Sequence, residues 1–476
     1  MNIRNKSART IVAGGAILLV LSLIGMPRMI ESFLAAFAVL SLGWEVGPLL
    51  LPSRHRLLQF LFGTLNAIAL AMLVRGIWFY VGWNLNGYGN LIPIVITLGI
   101  AAIWCVFIEP HPRAHKREND HHLSLQERIF AIASATISFG AMMLILSAAQ
   151  KVGTTDAIRT PWPLLPTWTL PLIALQWMLL IASAWRIPSR TLATLQSTFA
   201  IASITCITPL VYVIGYGFDG FLHVAGERIL STTGTLLPHP PYYMGQYVFT
   251  TWLARLTEID IALIDRWLVP LAAPILLAFS ALSATSTSSR IPLIAGLFLV
   301  PFGALITTTP HGFATVLAIT AIILAIGTSQ KRIHPAAPLI IAAWCALTHP
   351  LIGLPVAGAI LASAIYQRET IWRMIIAILC AIGAGISVPL VFGFAASLGS
   401  STGVALDMHA LFSWNAWQPV LTAWIPWVGN RYALWPEASV WIEKLLPWMI
   451  IVLTISATIR AIIATHLRSP CLLYTS

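Results

Sequence analysis

The feature that most constrains this chain is a succession of apolar runs, each about 17–25 residues long, separated by short polar breaks. A run of that length crosses the hydrocarbon core of a bilayer as a helix. It is too long for a strand of a membrane barrel. Lipid offers no partner for backbone N–H and C=O groups, so each run must satisfy its own by coiling. Composition agrees: 58% of the residues are hydrophobic and only 9% are charged, against roughly 25% charged in a soluble domain. The expected fold is an all-α polytopic membrane protein.

Hydropathy and breaks predict about fourteen spans. They lie near 10–27, 29–51, 57–81, 91–108, 129–149, 169–185, 193–214, 267–284, 291–307, 312–328, 335–348, 350–366, 371–395 and 443–464. The pair flanking Thr348-His349-Pro350 also reads as one kinked helix or a re-entrant pair, which would change the parity. With the N-terminus inside, 18 of the 27 Lys and Arg residues fall on the cytoplasmic side. The short inner loops PSRHR, WRIPSR, SQKRIH and YQRETIWR are all basic, as cytoplasmic loops are. The net charge of +11 therefore orients the helices and does not call for nucleic acid. The first apolar run has no small-residue cleavage site and further spans follow, so it reads as a retained span. Short loops and the lack of a targeting signal suit a prokaryotic plasma membrane.

The longest polar-rich break in the apolar middle runs from Tyr216 to Tyr247, YGFDGFLHVAGERILSTTGTLLPHPPYYMGQY. Charge counting places it outside, within an outer loop at 215–265, on the same side as the TTTPHG and LTHPLIG turns. Asp219, His223 and Glu227 are spaced by four and share one helical face. Phe221, Leu222, Val224, Ala225, Ile229 and Leu230 supply an apolar side, the pattern of an amphipathic helix lying at the membrane surface. Pro-His-Pro-Pro cannot be helix interior. It is a stiff turn that would hold His239, Tyr242 and Tyr243 ahead of a second amphipathic segment, VFTTWLARLTEID.

Each of these residues has two readings. Asp219 either caps the helix that follows it or takes a proton from an acceptor hydroxyl. Arg228 either binds phosphate through its fork of N–H donors or pairs with Glu227 or Asp219. Tyr242 and Tyr243 either anchor the interface or position a sugar. His311 and His349 each sit where two spans meet; together on the side of Asp219 they make a shared cavity plausible. Asp407 and His409 add polar groups, and the Trp-rich 413–427 stretch is an interfacial belt or a carbohydrate platform. Glu45 and Arg75 lie in apolar surroundings, where charges are functional candidates, structural partners or snorkelling groups. The four histidines of 111–122 fit no standard metal spacing and read as a solvated basic loop. No cofactor motif stands out; the carboxylate–imidazole spacing of Asp219, His223 and Glu227 admits a divalent metal but does not require one.

The run from Tyr216 through PHPPYYMGQYVFTTWLARL resembles the first outer loop of the GT-C class of membrane glycosyltransferases, which use polyprenyl-phosphate-linked sugars. The THPLIG turn is similar to a His-Pro pair in bacterial members of that class. The resemblance covers roughly 193–370. It implies a GT-C-like module at 193–470 behind an N-terminal transmembrane extension at 1–192, since the loop follows the seventh expected span and not the first. It implies Asp219 as the catalytic carboxylate, with Arg228 or His239 at the lipid phosphate. The partners it implies are a lipid-linked sugar donor, a glycan, lipid or protein acceptor, and membrane lipids. A multi-span transporter or flippase, and an inactive scaffold, are the competing expectations. The final CLLYTS matches one reading frame of a transposon-end adapter used in sequencing libraries, so 471–476 are expected to be non-native; the underlying codons would settle this.

Overall fold

The computed structural model describes residues 3–24, 28–53, 56–107, 123–158, 160–187, 189–216, 218–237, 242–284 and 305–366, with scattered positions between 372 and 387. The 111–122 loop, His239, most of the span expected at 291–307, the Trp-rich stretch, Asp407, His409, the span expected at 443–464 and the final six residues lie outside the described residues. The chain divides into two compact units, one of 1–156 with 167–406 and one of 157–166 with 407–476. Of the second, the described part is a short segment around the 3-10 turn at Trp162–Leu164.

The described residues are helical, without a strand; one isolated bridge pairs Thr154 with Tyr212. In chain order the helices are α1 (Ile3–Ile24), α2 (Arg28–Leu50), α3 (Arg56–Tyr80), α4 (Ile92–Phe107), α5 (Leu125–Lys151), α6 (Thr169–Arg186), α7 (Arg190–Thr205), α8 (Ile207–Val211), α9 (Phe218–Thr233), α10 (Met244–Thr257), α11 (Ile261–Ala284), α12 (Pro310–Ser329), α13 (Ala336–Thr348) and α14 (Pro350–Tyr366). Six are long and apolar enough to cross a membrane, within α2, α3, α5, α6, α11 and α12. Shorter apolar helices lie within α1, α4, α13 and α14. The described residues are thus those of a helical membrane protein with six full-length spans, and three of the fourteen expected, near 291–307, 371–395 and 443–464, fall mostly outside them.

The seventh expected span, 193–214, is corrected. Helix α7 stops at Thr205, turns at Cys206 and resumes as the one-turn α8. Its Gln196, Ser197, Ser203 and Thr205 are buried in the bundle alongside Leu192, Ala200, Ile201 and Ile204, so polar side chains interrupt its apolar interior face. The break meets a gap in the neighbouring helix. Pro274 in α11 has no N–H to give the Pro270 carbonyl. The Thr205 hydroxyl donates to that carbonyl at 2.8 Å, and the Cys206 thiol lies 3.6 Å away. The Val269 amide donates to the hydroxyl of Thr308, in the loop before α12, at 3.0 Å. The neighbouring α7 thereby satisfies the carbonyl that Pro274 releases. Helix α11 also begins at Ile261 rather than near 267: the Asp260 carboxylate accepts from the Ala262 amide at 2.8 Å.

Two close approaches fix the rest of the bundle. Helices α2 and α3 meet along Gly43, Gly47 and Gly63; a Cβ on Gly43 would lie 2.6 Å from the Thr64 amide nitrogen. Such small-residue seams let helix backbones touch in lipid, where apolar burial drives little association. Helices α13 and α14 break at His349, and Gly353 lies against the backbone of Cys345 and Ala346. They form a tight helical hairpin, not one kinked helix.

Candidate functional site

The 215–265 segment folds as two helices, α9 and α10, at one end of the bundle. Helix α9 leaves Phe221, Leu222 and Ile229 exposed on one side, as the spacing predicts, whereas α10 is buried over Met244–Val248 and Thr250–Trp252 and is not the surface helix expected. A loop from the N-terminal part of the chain grips the end of α9. Asn84 Nδ2 donates to the Thr233 carbonyl at 2.9 Å, Asn86 Nδ2 to the Thr232 carbonyl at 3.1 Å, and the Leu85 amide to the Gly234 carbonyl at 2.9 Å. These are last-turn carbonyls that have no partner within the helix. Arg255 of α10 joins them, donating to the Leu85 carbonyl at 2.9 Å and the Ser231 carbonyl at 3.2 Å, and to Asn86 Oδ1.

Helix α10 is anchored on the α13–α14 hairpin. Gly245 is pressed so closely to Thr348 that a Cβ would lie 2.7 Å from the Thr348 amide nitrogen. The Trp344 indole donates to the Gly245 carbonyl at 2.9 Å. Phe249, Phe313 and Trp344 interlock beside this contact, with Phe249 and Phe313 stacked at 5.8 Å between centroids. This aromatic packing ties α10 to α12 and α13. Tyr243, just before α10, has φ 80°. A non-glycine residue held there stores about 1–3 kcal/mol of backbone strain, which surrounding structure must impose.

The consequence is a cluster of imidazoles and phenols drawn from four parts of the chain. His223 of α9 packs edge-on against Tyr243, with ring centroids 5.0 Å apart. Tyr243 lies 4.3 Å from Tyr242 and 5.9 Å from His349. His349 lies 5.4 Å from His311, in the first turn of α12. Five residues singled out in the sequence, His223, Tyr242, Tyr243, His311 and His349, therefore meet. His311 is exposed and the others are half-buried. Burial pushes His349 down to about 4, helped by the neighbouring His311 and His223. It is neutral at physiological pH, and its Nδ1 is buried with no hydrogen-bond partner among the described residues.

Glu227 does not join this cluster. It is fully buried one turn further along α9, where Gln246 Nε2 donates to Glu227 Oε1 at 3.0 Å and to Asp265 Oδ1 at 3.1 Å. The two protons of one amide thus bridge two carboxyl groups. Burial pushes Glu227 up to about 8, with the Gln246 amide and Thr250 hydroxyl pulling the other way. Two carboxyls this close in a dry interior do not both ionise, so the pair retains a proton. Arg228, the next residue, points to the surface and forms an exposed ion pair with Asp260 at 3.4 Å. It does not pair with Glu227. Asp219 lies in the first turn of α9, one helical turn before His223.

Arg75 is fully buried and donates from Nη1 to the Asn90 carbonyl and Oδ1, at 3.1 and 3.2 Å; Glu45 is half-buried. Among the described residues, no three His, Cys, Asp or Glu residues are grouped to hold a metal ion. Sequence reasoning passed over Gln246, Tyr247 and Asp265. Tyr243 and Tyr247 carried a usable signal, since at the start of α10 they repeat the spacing of four that His223 and Glu227 show on α9. Comparison with protein families, characterised proteins and solved structures finds no match.

Proposed function

We propose that this protein is a membrane glycosyltransferase that moves a sugar from a polyprenyl-phosphate donor to an acceptor hydroxyl at the extracytoplasmic face. The observation that carries this reading is the ring cluster at one end of the bundle, one turn from Asp219 along α9. Phenols and imidazoles offer hydrogen bonds and flat faces, the chemistry by which a sugar and a phosphate are held. The resemblance of the 193–370 region to the GT-C class points the same way.

In the proposed reaction Asp219 accepts the acceptor's hydroxyl proton. The hydroxyl oxygen attacks the anomeric carbon, and the bond from that carbon to the phosphate oxygen breaks. The phosphate departs with the bonding electron pair, and configuration inverts. Hydrogen-bond donors around the leaving oxygens stabilise the charge that develops. Tyr242 and Tyr243 offer hydroxyl donors and His223 a ring N–H. Arg228 is a weaker candidate for the phosphate, because its charge is already shared with Asp260. A divalent metal remains outside the scheme. The acceptor, whether glycan, lipid or protein, and the sugar are properties to be found by assay.

The test is reconstitution of the purified protein in lipid nanodiscs with a panel of polyprenyl-phosphate sugars, followed by release of polyprenyl phosphate. Release dependent on an acceptor supports the reading; no release with any donor overturns it. A second reading, a transporter of envelope lipids, is favoured by the buried Glu227–Gln246–Asp265 network, since protonatable groups sealed inside a bundle of membrane helices mark proton pathways. Proton-coupled lipid translocation in liposomes that Glu227→Gln abolishes would select it over transfer.

A further inference from the structure

The contact between α9 and α10 fixes which ring nitrogen of His223 carries its proton. His223 Nδ1 lies 2.8 Å from the Tyr247 hydroxyl. Tyr247 is only 5% exposed, and His223 is the hydroxyl's one hydrogen-bond partner among the described residues. A neutral imidazole could in principle donate to the phenol oxygen. The phenol's own proton would then be buried without an acceptor, at a cost of about 1–3 kcal/mol. The phenol cannot avoid this by ionising: burial, together with the Glu227, Tyr243 and Asp265 groups, holds its proton on. The arrangement that satisfies both groups has the Tyr247 O–H donating to Nδ1. A neutral imidazole that accepts at Nδ1 carries its hydrogen on Nε2.

The neighbouring residue on α9 makes room for this contact. A Cβ on Gly226 would stand 3.2 Å from Tyr247 Cε2 and 3.4 Å from its hydroxyl oxygen. His223, Gly226 and Glu227 form one face of α9 against Tyr243, just before α10, and Gln246 and Tyr247 of α10. The bridged carboxyls and the phenol–imidazole pair are thus successive layers of one interface.

We propose that Tyr247 is a positioning residue that locks His223 as the Nε2–H tautomer, so that His223 serves the site as a neutral N–H donor to phosphate oxygen and not as a base through Nδ1. The tautomer stands on the Tyr247 contact and its burial; the role as donor rests on the glycosyl-transfer reading. It leaves Asp219 to take the proton and gives His223 the leaving-group side.

The test is solid-state nitrogen NMR of histidine-labelled full-length protein in lipid bilayers at pH 8. The His223 signals are identified by their loss in His223→Gln. The expected spectrum shows His223 Nδ1 unprotonated and Nε2 protonated, and Tyr247→Phe converts this to a mixture of tautomers. Gly226→Ala, which displaces the phenol without removing it, should give the same mixture and provides a second route if Tyr247→Phe does not fold. A protonated Nδ1 in the wild type, or an unchanged tautomer in the variants that fold, overturns the proposal. On turnover, Tyr247→Phe should lower kcat on the order of tenfold with little change in donor KM, as for an interaction made in the transition state. Unchanged turnover in a variant whose tautomer has shifted overturns the donor role. The spectrum needs no substrate, so failure of the transfer reading leaves the tautomer result standing and separately readable.

Discussion

Helix α9 presents two polar clusters to α10, one turn apart, and they are opposites. Around His223 the groups are rings, half-open, gathered from four chain segments, with His349 kept neutral by burial and by its neighbouring imidazoles. Around Glu227 the groups are carboxyls, sealed, and joined by a single amide. Burial raises the acid and lowers the base, because in both cases it penalises the charged form. The two clusters therefore respond to pH in opposite senses, and the open one is suited to meeting a ligand while the sealed one holds the helices that present it.

The sharpest break of this comparison is Gln246→Leu. It leaves two buried carboxyls without their shared donor, a loss of about 3 kcal/mol or more. Thermal unfolding in detergent should show the largest drop of any variant here, and an unchanged midpoint would mean that the network is not structural. Next comes pH. The Glu227 carboxyl rises from 4.5 to about 8 on folding. Between those values the unfolded chain loses a proton that the folded protein keeps, so its contribution is full below about 4.5 and declines as pH rises to about 8. Glu227→Gln should flatten that decline in the unfolding midpoint. His349 falls from 6.5 to about 4. Its contribution is full above 6.5 and is lost as pH drops through that window to about 4, and His349→Gln should remove this acid-side loss. A wild-type and variant pair with parallel pH curves would dispose of either assignment.

A smaller effect tests how the ring cluster is held. Gly245→Ala drives a Cβ into the Thr348 backbone and should cost about 1–3 kcal/mol, with a loss of turnover as Tyr243 shifts from His349. The smallest belongs to the surface. Arg228→Ala removes an exposed pair with Asp260 and should change stability by less than about 1 kcal/mol. A large fall in donor affinity in that variant would restore Arg228 as the phosphate ligand.

Much of this architecture was legible in the sequence, and the residues explain why. Spans such as α3 and α12 end within a few residues of their expected limits, because apolar length and the Pro-Gly-Ser breaks encode them directly. The i, i+4 spacing of Asp219, His223 and Glu227 correctly gave a helix. It did not tell which way each residue would point: His223 and Glu227 both meet α10, yet only Glu227 is sealed, because α11 brings Asp265 to it. That choice depends on a helix more than thirty residues away, which local periodicity does not contain. Gln246 was passed over because an amide has no charge to flag it; its importance comes only from two acids on other helices. The end of α7 at Thr205 was hidden because its apolar run reads on through Pro209, although Pro209 has no N–H to give the Thr205 carbonyl four residues back.

The central claim is that the end of the bundle bearing α9 and the ring cluster performs glycosyl transfer from a lipid-linked donor. The most direct measurement is single-turnover release of polyprenyl phosphate in nanodiscs, comparing the wild type, Asp219→Asn and Arg228→Ala at matched unfolding midpoints. The account predicts release by the wild type and by Arg228→Ala, and none above background by Asp219→Asn. Equal release by the wild type and Asp219→Asn would contradict it.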